Sequence, residues 1–313
     1  MKLVFLLGIL FISIPVSAQK KIVVAQDGSG DYKKVQEALD AVPVGDRITI
    51  YIKSGVYKER LVLDSLKDFV TLVGEDKGTT VLTYDNHTGT ILPDGDTVNT
   101  WTSASFFILA SHFNAQNITF GNNAGFTAGQ AVAVFAKGDQ LSFTNCRFIG
   151  FQDVLFCSGN GSRQYYKDCY IEGTTDFIFG PSTAVFENCH IHSKKNSHIT
   201  AASTPKEIKY GFVFLNCKLT ADSAVNKVSL GRPWRPYSSV AYLRCELGSH
   251  IIPEGWDNWR KAANEQTARY AEYKNRGPGS DRKARARWSR QLNDKEAKAF
   301  TLKSIFNRWN PDQ

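Results

Sequence analysis

The 313-residue sequence predicts an all-β chain, a single-stranded right-handed parallel β-helix with an N-terminal capping helix and a C-terminal helical and irregular cap. Three observations carry that prediction. The phrases FNAQNITF, LSFTNCRF, YYKDCYI, VFENCHI, FVFLNCKL and VAYLRCEL recur from residue 113 onward. They place Ile118, Cys146, Cys169, Cys189, Cys217 and Cys245 in one column, at intervals of 28, 23, 20, 28 and 28 residues. Each phrase is a short apolar run with almost no helical periodicity, and the variable intervals are what loops of different length on one solenoid face produce. A leucine-rich horseshoe is the alternative repeat, and the sequence lacks its leucine spacing.

The opening MKLVFLLGILFISIPVSA has a lysine, an apolar run and a small-residue Val16-Ser17-Ala18 site, which reads as a secretory signal peptide over residues 1–18. The mature domain is then 19–313, exported to the periplasm or beyond the cell, with no later apolar run of about 18 residues to hold it in a membrane. Lys21 to Val24 reads as a strand. Asp31 opens a helix whose apolar face is Val35, Ala38, Leu39 and Val42, placed to cap the open end of the coil. Strands follow at Arg47 to Lys53, Phe69 to Gly74 and Thr79 to Tyr84. The cap at about 257–313 carries a helix from Asp294 to Asn307, with Ala297, Phe300, Ile305 and Phe306 on its apolar side.

The net charge of +8 lies in that cap: residues 258–313 hold 14 Lys or Arg against 6 Asp or Glu. A basic face attracts polyanions. No nucleic-acid motif accompanies it, so nucleic acid is not the expected partner. The column arrangement makes five of the six cysteines stacked core thiols rather than disulfides, with Cys157 off the ladder. No interface signal stands out, and a monomer is expected.

Asp153 and Asp176 each follow a column cysteine by seven residues, so they occupy one place in two successive coils. Coils stack at about 4.8 Å, and two carboxylates that close cannot both ionise freely; one becomes an acid, the other a nucleophile or base. Gln130 precedes Asp153 by 23 residues, as Asp153 precedes Asp176, and by that count continues the same column; Gln152 adds a second amide. Two carboxyl groups and two amide donors are the components of acyl transfer with an oxyanion hole. Arg232 can hold a carboxylate through paired charge-assisted bonds. Trp234, with Phe156, Phe179 and Trp256, offers an apolar platform of the kind a sugar-binding cleft uses. No metal site or cofactor is expected, since His190 and His192 lack metalloprotease spacing, and no Gly-x-Ser-x-Gly elbow marks a serine esterase.

The phrases DGSGDYKKVQEAL, SGVYKERL, GQAVAV, GFQDVLF, YIEGTTDFIFG, LGRPWRPYS, PEGW and YAEYKNRGPGS resemble those of the pectin methylesterases, carbohydrate esterases that demethylate homogalacturonan. The resemblance spans nearly the whole mature chain. It implies a right-handed parallel β-helix, methyl-esterified homogalacturonan as partner and a reaction without metal. It further implies Asp176 as nucleophile on the C6 methyl ester and Asp153 as general acid, then base. Gln130 and Gln152 would donate to the oxyanion, Arg232 would orient Asp176, and Trp234 would contact galacturonate. Two other functions fit a β-helix with paired carboxylates: a pectin-acting glycosidase and a non-catalytic polysaccharide-binding solenoid.

Overall fold

The computed structural model of the chain describes residues 20–311; the predicted signal peptide lies outside them. These residues wind into a right-handed parallel β-helix of three sheets with eleven, eight and seven strands. Strands pair in parallel, and neighbours in each sheet come from successive turns of the coil. The predicted early strands are present at Lys20–Val24, Ile48–Ile52, Val70–Gly74 and Thr80–Tyr84.

The repeated phrase explains how each coil turns a corner. In the coil of Cys146, the strand Leu141–Thr144 ends, Asn145 takes a left-handed conformation with φ 54°, and the strand Arg147–Ile149 begins. Asp168, Asn188 and Asn216 repeat the turn at φ 54°, 53° and 54°. Asn and Asp tolerate that region better than other side chains. The turned chain then points the next residue inward, and all six cysteines, Cys157 included, are buried free thiols. Three residues before each column cysteine stands an aromatic ring. Phe143, Tyr166, Phe186, Phe214 and Tyr242 stack through the core at centroid spacings of 4.9, 4.8, 4.6 and 4.2 Å. That spacing is the strand separation itself.

In the coil after Tyr242 the ring is replaced by a charge. Glu272 pairs in register with Tyr242 and is 2% exposed. Arg285 meets it with Nε 2.8 Å from Oε1, and the Trp256 indole N–H donates to the same oxygen at 3.3 Å. A carboxylate at the end of an apolar column must be paired in this way or carry a large desolvation penalty.

Both predicted terminal helices differ from expectation. The first spans Val35–Asp40 and does not start at Asp31, whose carboxylate instead accepts the Val23 N–H at 2.8 Å. Its free N–H groups are satisfied by Glu59, which accepts from Val35 and Gln36 at 2.9 and 3.0 Å, as a negative charge at a helix N-terminus should. Its predicted apolar face is buried. The second is two short helices, Asp294–Ala297 and Leu302–Phe306, because Asn293 and Thr301 each cap a separate start. Ala297, Ile305 and Phe306 pack on Tyr165, Val185, Val213 and Leu215, residues of the eleven-stranded sheet, so these helices strap its outer face and do not close the coil's end. Arg163 donates to the Phe306 carbonyl at 2.9 Å and fastens the strap.

Candidate active site

Three strands of the seven-stranded sheet position the charged groups. Asp153 and Asp176 stand two residues before the strands Leu155–Cys157 and Ile178–Gly180, which pair Leu155 with Ile178. The two acids therefore hold equivalent places in neighbouring coils, as the repeat predicts. Both are left-handed, at φ 62° and 50°. Their N–H groups donate to the next coil, Asp153 to Thr175 O at 3.1 Å and Asp176 to His198 O at 2.8 Å.

Arg232 lies two coils beyond Asp176, in register with Ala201 and, through it, with Phe179. The small Ala201 side chain leaves the gap across which the arginine reaches back. Its Nε and Nη2 donate to the two Asp176 oxygens at 3.0 and 2.7 Å, a bidentate, charge-assisted geometry. Burial, and then the charge of Asp176, push the Asp153 carboxyl well above the usual carboxylate range, with Arg232 opposing. Burial raises Asp176 as well, but there the Arg232 hydrogen bond and charge pull directly the other way.

Gln130 and Gln152 complete the polar wall. Their placement differs from the sequence count: Gln130 bridges to Gln152, and Val134 pairs with Leu155, so the coil of Gln130 is out of step with the 23-residue column. The loop before the strand Val134–Ala136 absorbs the offset. Gln130 is thus opposite Gln152, not in the column of Asp153. Both amides are half-buried, and among the described residues neither side chain has a hydrogen-bond partner.

These groups line one cleft of about 340 Å³ with Thr100, Trp101, Phe179, Ala201, Trp234 and Trp259. Phe156 stacks on Phe179 at 4.3 Å and faces an adjoining hollow that shares Trp101 and Trp234 with the cleft. Trp256 is not in the cleft. It is 3% exposed, against Tyr242 and Tyr270 in the core, because its indole N–H serves Glu272. Of the two tryptophans in WDNW, the one that reaches the cleft is Trp259, three residues on, over the Arg232 guanidinium at 3.8 Å. Trp101, Ala201 and Trp259 stand outside the repeated phrases; only the second tryptophan in WDNW hinted at one of them.

Comparison with known proteins gives a consistent result. The Pectinesterase family profile matches residues 21–308. Pectinesterase 31 of Arabidopsis thaliana is 41% identical over 289 residues, covering 90% of each chain. The solved structure of pectin methylesterase from carrot superposes with a TM-score of 0.85 at 33% identity, covering 91% of this chain and 92% of that one. Pectin methylesterase PemA from Erwinia chrysanthemi gives 0.82 at 29% identity, covering 93% and 98%. A pectin methylesterase mutant in complex with a hexasaccharide gives 0.84 at 29%, covering 94% and 99%.

Proposed function

Since this chain belongs to the pectinesterase family, and is accordingly a carboxylic ester hydrolase, we propose that it removes the C6 methyl esters of galacturonate units in pectin, through an acyl-enzyme on Asp176. The observation that carries the mechanism is the asymmetry of the two acids: Arg232 chelates Asp176, while Asp153 has no such partner among the described residues and is driven toward its protonated form. Asp176 attacks the ester carbonyl carbon, and the developing oxyanion takes hydrogen bonds from the free amides of Gln130 and Gln152. As the tetrahedral species collapses, the bond to the methoxy oxygen breaks and Asp153 protonates the departing methanol. Asp153, now a carboxylate, takes a proton from water as that water attacks the acyl carbon. Asp176 leaves as the free carboxylate, Asp153 is protonated again, and the product is the acid. Trp234, Trp101 and Phe179 give the sugar an apolar wall. Pectin is outside the cell, so the leader read in residues 1–18 would deliver the mature chain to it.

The test is methanol release from highly methylated pectin by the mature chain, run beside a reducing-end assay and repeated with Asp176→Ala. Methanol without new reducing ends, lost in the variant, supports this reading. New reducing ends would move the reaction to the glycosidic bond; silence in both assays would leave a binding solenoid.

A further inference from the structure

Resting on Asp176 as the nucleophile, we propose that Trp259 is a positioning residue: its ring holds the Arg232 guanidinium in the plane that chelates the Asp176 carboxylate. The Arg232 side chain makes hydrogen bonds to Asp176 alone among the described residues, so one edge is fixed by that carboxylate and one face by the Trp259 ring at 3.8 Å. A guanidinium over an indole face is attracted by the ring quadrupole.

The backbone is shaped to bring the ring there. Trp259 and Arg260 are consecutive left-handed residues, φ 62° and 53°, and neither is glycine. Such a pair persists only where surrounding contacts over-determine it. Those contacts are present. The Asp257 carboxylate accepts the Trp259 N–H at 2.7 Å. The buried Asn264 amide donates to Asn258 O at 3.0 Å and to Pro233 O at 3.3 Å, tying the turn to the residue after Arg232.

The consequence is a pH signature. Asp176 must be ionised to attack, and Arg232 opposes the burial that raises it. Loosening Arg232 lets the Asp176 value climb, so activity is lost at higher pH on the acid side. The other groups acting on this cluster are Asp153, Asp257, His198 and Tyr270, with Arg260 beside Arg232 in an adjoining hollow. None of them is removed by a Trp259 substitution, and His198, driven to about 4 by burial and the Arg232 charge, is neutral above pH 5.

The experiment compares the parent mature protein with Trp259→Leu and Trp259→Phe, measuring methanol release against pH, kcat and KM. It adds a carbon NMR titration of the Asp176 carboxyl and thermal melts. Trp259→Leu is expected to move the acid limb and the carboxyl titration upward by about half to one pH unit. Its kcat should fall about ten-fold, with KM within about two-fold. Trp259→Phe, which keeps a ring face, should recover most of both. An acid limb and carboxyl titration that stay put while KM rises would make Trp259 a substrate platform and overturn the proposal. Should the leucine variant not fold, Trp259→Met, which keeps bulk but has no ring face, is expected to shift both in the same direction, and no shift there overturns the proposal equally. A parent that releases no methanol would fail the esterase reading, while the carboxyl titration would still read the hold of Trp259 on Arg232.

Discussion

Asp153 and Asp176 share a left-handed backbone, φ 62° and 50°, at equivalent positions of two neighbouring coils. The conformation turns each carboxyl out of its strand and toward the cleft. It also makes the two positions selective about their replacements, because Asn tolerates that region and β-substituted residues without a polar tip do so poorly.

Asp176→Asn and Asp176→Ala should therefore be equally dead and unequally stable. Both remove the nucleophile, and methanol release should fall by at least about a thousand-fold. The alanine variant should be less stable than the asparagine variant by roughly 1 kcal/mol, the cost of left-handed backbone without a helpful side chain. Thermal melts of the two side by side check this; equal midpoints would refute the conformational argument.

The raised Asp153 value has opposite consequences for stability and activity. A carboxyl whose folded value lies above its unfolded one binds its proton more tightly when folded. Its contribution is fully present below the unfolded value and is lost as pH rises through the folded value. Asp153→Asn should accordingly be more stable than the parent at neutral and alkaline pH, by about 1.4 kcal/mol for each pH unit separating the two values, with the gap closing near pH 3. Over the same alkaline range the parent should lose methanol release as its acid deprotonates. A stability gap independent of pH would contradict the assignment.

Ala201 should tolerate no large side chain. It occupies the coil between Phe179 and Arg232, is 3% exposed, and lies beneath the reach of Arg232 to Asp176. Ala201→Leu should lower kcat by about ten- to a hundred-fold by pushing the guanidinium off the carboxylate, at a stability cost of about 1–3 kcal/mol for overpacking. Steady-state kinetics with an unchanged kcat would refute it.

Breaking the Glu272–Arg285 pair should be among the most destabilising single changes in the chain. The side chains are 3% and 5% exposed, so Arg285→Ala strands a buried carboxylate at a cost of about 3–5 kcal/mol. Replacing both, as Glu272→Leu with Arg285→Met, should recover much of that loss, because the column below is already apolar. Denaturant melts of the single and double variants measure the difference.

The sequence by itself determined what repeats. Aromatic-x-Asn-Cys states a strand end, a left-handed corner and an inward thiol within four residues, and those preferences are local. From them follow the β-helix, the free-thiol column and the shared column of Asp153 and Asp176. What does not repeat was decided only by the tertiary structure. Gln130 came to face Gln152 because a loop shifted its coil out of step. Trp256 went to the core and Trp259 to the cleft because Glu272, brought to the end of the aromatic column, needed an N–H donor. The two C-terminal helices lay along the sheet because Tyr165 and Val213 present an apolar outer face to them. Arg232 reached Asp176, 56 residues away, over a single alanine. Each of these contacts joins segments whose relative height is set by how many residues the intervening loops hold, and no local preference encodes that count.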